Sequence, residues 1–406
     1  MNPVTSLNRR GREFVGRLKP GVWLVTITGF LNSAAFSISL PFIALYLHQD
    51  RHVSMTVVGF IILFSGILSA MVQIYAGALS DQLGRRPLLI ASVVASGVLY
   101  TGMAFLIGAN APVWTIVALY SLVRCSLMMQ RPAIQAMIVD LCPREKLVEA
   151  NGVLRVGQNL GWAFGPAIGG YLLVSIPYSW LFGVAALISI AIIFFVYSSI
   201  KETCHLVEEK ITLPKIFSAA GNRPFLMFVL LCVLLFLSMG QMGSTLSVFS
   251  VDRAGFSLEQ YGSLLTLNGL CVVALQYPTA RLVSRIRHSH ALAIGGLFYG
   301  LGWMVMGLVG SYGLAVAAMA IITLGEITIA PTSLAVVGEH SPPGMRGRYQ
   351  GFFGISETLG VSVGPFMGGI LLDRYAGDNF AVWGTIGLIA LSAGAGFLLW
   401  GRIHKK

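Results

Sequence analysis

Apolar runs of about twenty residues follow one another along nearly the whole chain, separated by short loops rich in glycine, proline and charge. No other feature narrows the fold so far. An α-helix needs about 20 predominantly apolar residues to cross a bilayer, and in hydrocarbon only a helix or a closed barrel satisfies its own backbone polar groups. The runs and their punctuation predict helices over 21–47, 57–78, 87–108, 113–141, 152–176 and 179–199, then over 224–249, 260–282, 291–310, 313–338, 349–372 and 380–400. The expected fold is thus an all-α membrane protein of twelve transmembrane helices. Composition agrees: 56% of the chain is apolar, and 406 residues hold 27 basic and 16 acidic side chains, whereas soluble chains are about a quarter charged. The five cysteines, Cys125, Cys142, Cys204, Cys232 and Cys271, are odd in number and lack tight spacing, so they offer no disulfide framework.

Charge sets the orientation. With the termini cytoplasmic, the inner segments carry 21 Lys and Arg and the outer loops three, Arg51, Arg253 and Arg374, while Arg124, Arg131 and Arg155 fall within spans. This is a strong positive-inside bias. It predicts an integral protein of the cell (inner) membrane with both termini cytoplasmic. The basic stretch through Pro20 precedes an apolar run longer than the roughly 7–15 residues of a signal-peptide core, and is read as the approach to the first span. The net charge of +11 is scattered over short loops. A nucleic-acid-binding protein would gather it on one water-facing domain.

The chain is also written twice. A shift of 199 residues lays 150–173 on 349–372 with nine of 24 positions identical, among them Gly161/Gly360, Gly165/Gly364, Pro166/Pro365 and Gly169/Gly368. The same shift pairs Pro132 with Pro331 and Asp140 with Glu339, and a shift of 203 lays the loop "GALSDQLGRRP" over "ARLVSRIRHSH". Two pseudo-symmetric six-helix bundles follow, at 1–200 and 224–406, joined by a polar cytoplasmic linker at 201–223. Parallel repeats of this kind suit a transporter whose halves rock about a site at the bilayer midplane.

The first inner loop runs Gly77, Ala78, Leu79, Ser80, Asp81, Gln82, Leu83, Gly84, Arg85, Arg86, Pro87. It resembles the signature loop of the major facilitator superfamily, and the resemblance extends over the whole chain. In that family the loop aspartate and arginine, with an acid at the end of helix four, form a charge lock on the outward-facing state. The matching residues here are Asp81, Arg85 and Asp140, with Gly77, Gly84 and Arg86 completing the loop. Helix five carries Gly157, Gly161, Gly165, Pro166, Gly169 and Gly170. Glycines four apart let a second helix approach closely, and the set is similar to the helix-five motif of the family's drug/proton antiporters. Gly360, Gly364 and Pro365 repeat it in helix eleven. Antiporters of this family carry an arginine early in helix four where this chain has Tyr120. Arg124 sits one turn deeper and takes its assignment from physics alone.

An ionisable group at the bilayer centre costs about 2.5–3.5 kcal/mol even on gentle insertion scales, so an intramembrane charge is a functional candidate. Two acids qualify, Glu326 in helix ten and Glu357 in helix eleven. No Lys or Arg lies in the core of the C-terminal spans, so Glu326 is expected to lack a local cation and to bind and release a proton as its access to water changes. Both acids are read as proton-coupling groups. Subtracting the repeat offset puts Glu326 opposite Leu127, one turn from Arg124. Arg124, Glu326, Arg131, Gln241 and Asn32 are the candidate substrate contacts. Arg155 is read as snorkelling to the inner headgroups or pairing with Asp140.

The chain has no GxxxxGKS/T phosphate loop, no HExxH and no GxSxG, and all seven histidines fall in loops or tails. These absences argue against a nucleotide-driven pump, a histidine-based metal site and an intramembrane enzyme. The combined expectation is a monomeric, proton-coupled exporter of amphipathic or cationic small molecules, needing no cofactor or metal and having membrane lipids, substrate and protons as its partners. The alternative is a transporter or flippase of an anionic amphiphile, such as a lysolipid, glycolipid or siderophore, gripped by Arg124 and Arg131.

Overall fold

The structure, a computed structural model, describes residues 18–143, 146–203, 218–342 and 345–403. The basic approach before Leu18, Cys204 and residues 204–217 of the expected linker lie outside the described residues. No strand occurs among the described residues. The N-terminal half contains α1 (Pro20–Asp50), α2 (Met55–Leu83), α3 (Arg85–Gly108), α4 (Val113–Leu141), α5 (Leu147–Leu172) and α6 (Ser179–Ser199). In the C-terminal half, α7 begins as Arg223–Met239 and continues through short turns to Phe249–Arg253. It is followed by α8 (Leu258–Val283), α9 (His288–Gly307), α10 (Tyr312–His340), α11 (Arg346–Arg374) and α12 (Asn379–Ile403). Each expected span is present, and α2, for example, continues past its apolar core to Leu83 because a helix keeps satisfying its backbone at the headgroup level. Ten of the twelve are long and apolar enough to cross a membrane. The other two, α5 and α8, are as long but carry Arg155, Gln158 and Asn159, and Asn268 and Gln276. These two pack against each other, so part of each surface faces protein rather than lipid.

The duplication is visible in the backbone. A wide turn at Tyr46–Asp50 ends α1, and its counterpart at Phe249–Arg253 ends α7, 203 positions on. Pro132 and Pro166 interrupt the hydrogen-bond ladders of α4 and α5 as Pro331 and Pro365 interrupt those of α10 and α11.

Packing of α5 and α11 follows the same repeat, with two faces on each helix. On one face Gly161, Gly165 and Gly169 meet α1, and Gly360, Gly364 and Gly368 meet α7, so tightly that an added Cβ would collide with the neighbouring helix. Ser37 Oγ donates to Gly161 O at 3.0 Å, and Gln241 Nε2 donates to Gly364 O at 2.9 Å. The other face joins the bundles: Gly170 and Pro166 of α5 meet Leu258 and Gly262 of α8, while Gly369 and Pro365 of α11 meet Met55 and Gly59 of α2. Helices gain little from the hydrophobic effect against one another in lipid, so close van der Waals approach of small residues holds such seams.

The seams close at one end. Close approaches run from Gly369–Met55 and Gly170–Leu258 at the helix ends to Gly66–Ser362 and Ala163–Gly269 near mid-helix. The bundles thus approach each other closely at the end opposite the linker, the sealed end.

Candidate functional site

Glu326 occupies the midpoint of α10 and is half-buried. Its Oε2 accepts a hydrogen bond from Asn268 Nδ2 of α8 at 2.8 Å. The same amide nitrogen donates to Thr323 Oγ1 at 3.0 Å, and Thr323 passes its own proton to Met319 O at 2.8 Å. Among the described residues no ion pair reaches Glu326. Arg155 does not pair with Asp140, whose carboxylate is taken by Arg85 and Thr203.

The other candidates separate. Arg124 lies close to the middle of α4, half-buried, beside Tyr100 and Cys125. Its Nε is buried without a hydrogen-bond partner, and among the described residues no acid pairs with it. Arg131 is exposed, and Asn32 of α1 is half-buried with an unpartnered Nδ2. Gln241, expected at the substrate, lies in the contact between α7 and α11. It is fully buried, its amide nitrogen bonds Leu237 O and Gly364 O, and its oxygen accepts Thr245 Oγ1 at 2.6 Å. Every polar atom of that side chain is spent on packing α7 against α11. Glu357 is half-buried on α11 with no hydrogen bond or ion pair among the described residues.

At the linker end, Arg85 Nε stands 3.4 Å from Asp140 Oδ2, with both side chains largely buried. Glu202, the second residue of the expected linker, accepts the backbone N–H groups of Arg85 and Arg86 at 3.1 Å each, and so caps α3. Gly84 reaches this geometry at φ +99°, a left-handed conformation that glycine adopts freely. Arg86 donates to Tyr197 O and lies over the Tyr197 ring. These contacts lie within the N-terminal bundle and the start of the linker, and the side chain of Asp81 is outside the described residues. The repeat carries over: His288 matches Arg85, Glu339 matches Asp140, and His288 Nδ1 stands 3.1 Å from Glu339 Oε2.

A second cluster, at the sealed end, escaped the sequence reading. Asp373 at the end of α11 accepts the N–H of Met55 at 3.1 Å and of Thr56 at 2.7 Å, capping α2 of the other bundle. Gln49 of α1 donates to Asp252 of α7, and His48 Nε2 lies 3.5 Å from the same carboxylate. Terminal acids next to outer loops look like ordinary solvated charges, and only the docking of the bundles shows them bridging. Among the described residues no group of three or more His, Cys, Asp or Glu side chains is placed to hold a metal ion.

Comparison with known proteins places this geometry. The family model of the Major Facilitator Superfamily matches residues 25–365 and 252–406. The chain is 24% identical over 394 residues to YqjV of Bacillus subtilis, an uncharacterized MFS-type transporter, covering 92% of each. It is 24% identical to a Na(+), Li(+), K(+)/H(+) antiporter of Planococcus maritimus, covering 83% of this chain and 86% of that one. It is 25% identical to the multidrug resistance protein MdtG of Proteus mirabilis, covering 88% and 90%. Among solved structures, a POT family transporter in complex with 5-aminolevulinic acid superposes with a TM-score of 0.80 at 13% identity, covering 95% of this chain and 97% of that one. Twelve helices in duplicated halves, a seam of paired glycines and a family match along almost the full length lead to one assignment: the chain belongs to the Major Facilitator Superfamily and is a membrane transporter, not an enzyme.

Proposed function

We propose that the protein is a proton-coupled secondary active exporter, an antiporter that moves amphipathic or cationic small molecules by rocking its bundles about Glu326. The observation that carries this reading is a half-buried carboxylate at the midpoint of α10, held by one amide of α8. A charge at that depth is kept only for a task. With both termini cytoplasmic, as the Lys and Arg count predicts, the sealed end is the outer end and the structure is inward-open. In that state the ionised carboxylate attracts a lipophilic cation. After rocking, a proton from outside neutralises Glu326 and releases the cargo, with Glu357 as a second proton-binding group on α11. Exchange of one proton for one monovalent cation moves no net charge, so the pH difference alone drives it, about tenfold in cargo gradient per pH unit. The names of two relatives, a multidrug resistance protein and a cation/H(+) antiporter, point the same way.

Proteoliposomes with an imposed pH gradient test it. Glu326→Gln should reduce uphill movement of cationic dyes to background, and wild-type accumulation by that variant would end the reading. A second reading, transport of an anionic amphiphile, rests on Arg124 having no acid partner among the described residues. Under it, Arg124→Ala abolishes lysolipid transport while Glu326→Gln leaves it intact.

A further inference from the structure

We propose that His48 and Asp252 form an acid-operated latch at the sealed end: a protonated His48 adds an ion pair between the two bundles and holds them together, and a neutral His48 does not. The latch works at the seam between the bundles, whatever the transporter carries, and is independent of Glu326.

The repeat brings these residues together. The wide turns ending α1 and α7 are closed by the same backbone bonds, Arg51 N–H to Tyr46 O and Val53 N–H to Leu47 O in one half, Ala254 N–H to Phe249 O and Phe256 N–H to Ser250 O in the other. At that offset of 203 positions Gln49 and Asp252 are equivalent, and they meet each other. Gln49 Nε2 donates to Asp252 Oδ1 across the seam. Equivalent residues of two parallel repeats can touch only near the axis that relates them, so the carboxylate of Asp252 sits at the centre of the seal. The counterpart of His48 is Val251, which makes the histidine a one-sided addition to a symmetric joint.

The hydrogen positions on His48 follow from its neighbours. Nδ1 stands 2.8 Å from Val53 O, and a carbonyl oxygen only accepts, so Nδ1 carries a hydrogen in either charge state. In the neutral ring Nε2 is therefore bare. Its lone pair then faces Asp252 Oδ2 at 3.5 Å, two acceptors with no hydrogen between them. A second proton turns the contact into an N–H···O pair between opposite charges, for which about 2.7–2.9 Å is usual, a small side-chain shift away.

The surrounding charged groups leave that carboxylate to His48 and Gln49. Arg253, beside Asp252, is turned to the carbonyls of Leu372 and Tyr375. Asp373 is occupied by the N–H groups of Met55 and Thr56, and Arg51 donates to Tyr46 Oη at 3.1 Å. Tyr178 Oη donates to Gln49 Oε1 at 3.4 Å, which leaves the Gln49 amide nitrogen to Asp252. Asp50 and His52 are exposed in the loop that follows.

Histidine is the side chain that changes charge between about pH 5 and 8. A protonated His48 has its carboxylate partner only while the bundles are sealed, so the stabilisation is present at acid pH and fades as pH rises through the histidine range. With the orientation that the Lys and Arg count predicts, the compartment that sets the latch is the outside. The two side chains are 32% and 28% exposed, and solvent limits a pair so placed to about fivefold in an equilibrium.

Spin labels on Ala109 and Gly310, one in each bundle at the sealed end, report the ratio of sealed to unsealed molecules. The measurement is made in Glu326→Gln, so that the central carboxylate does not titrate. In that protein the ratio should rise about two- to fivefold as pH falls from about 8 to about 5.5. Adding His48→Asn, whose amide keeps a donor for Val53 O and carries no charge, should hold the ratio at its higher-pH level throughout. His48→Gln carries the same prediction should His48→Asn not fold. Asp252→Asn, which still accepts from Gln49, should lose the rise as well, a shared pH dependence that simple packing loss does not produce. A rise that survives without the His48 imidazole assigns the proton to another group and overturns the latch, and so does a rise that survives in Asp252→Asn or the lack of any rise in the parent.

Discussion

Replacing Asp373 by Asn should loosen the sealed end of the molecule. The carboxylate accepts two N–H groups from the first turn of α2, Met55 at 3.1 Å and Thr56 at 2.7 Å, and belongs to the opposite bundle. Ser54, the residue that caps α2 locally, reaches Val57 N only at 3.4 Å, so the helix depends on Asp373 for its first two donors. Asparagine keeps one acceptor and loses the charge. One bond to a charged group contributes about 1.5–3 kcal/mol, and a charge at a helix N-terminus about 0.3–1 kcal/mol. Asp373 is exposed, so solvent screens both, and a net loss of about 1–2 kcal/mol is expected. That lowers the ratio of sealed to unsealed molecules about 5–30-fold. Double electron–electron resonance between labels on Ala109 and Gly310 reads the ratio directly. Asp378→Asn is the control, because Asp378 accepts the Ala381 N–H at 2.8 Å within its own bundle. A ratio that stays within about twofold of the wild type, or an equal shift in the control, refutes the cross-bundle cap.

Two further outcomes test packing and charge. Gly165→Val forces a Cβ into Ser37 and Ile38 of α1 and should lower stability by about 1–3 kcal/mol, seen as a fall in Tm, whereas Gly152→Val, in open space, should leave Tm within error. Arg85→Gln strands the largely buried Asp140 carboxylate and should cost about 3 kcal/mol. Arg86→Gln should cost clearly less, since Arg86 is only half-buried and holds a carbonyl and a ring face, and equal Tm losses for the two would contradict the pairing.

Helix number, the duplication and the glycine faces of α5 and α11 were legible in the linear order of residues. Hydrophobic length, charge bias and repeat offset are properties of that order, and in a bilayer they leave few alternatives. Even the wide turns ending α1 and α7 keep the 203-residue offset seen in the inner loops. Glu326 stood out for the same reason, as a charge inside a span. What it touches did not. Gln241 and Asn268 are both amides inside spans, yet one is consumed in packing and the other grips the central carboxylate. The acids that bridge the sealed end, Asp252 and Asp373, are ordinary loop-end residues on paper. The partnerships of Asp252 and Asp373 cross from one bundle to the other. They depend on how two rigid halves dock, a packing decision made by small residues and carbonyls at the seams, and nothing in the local sequence around an acid records which foreign helix will arrive beside it.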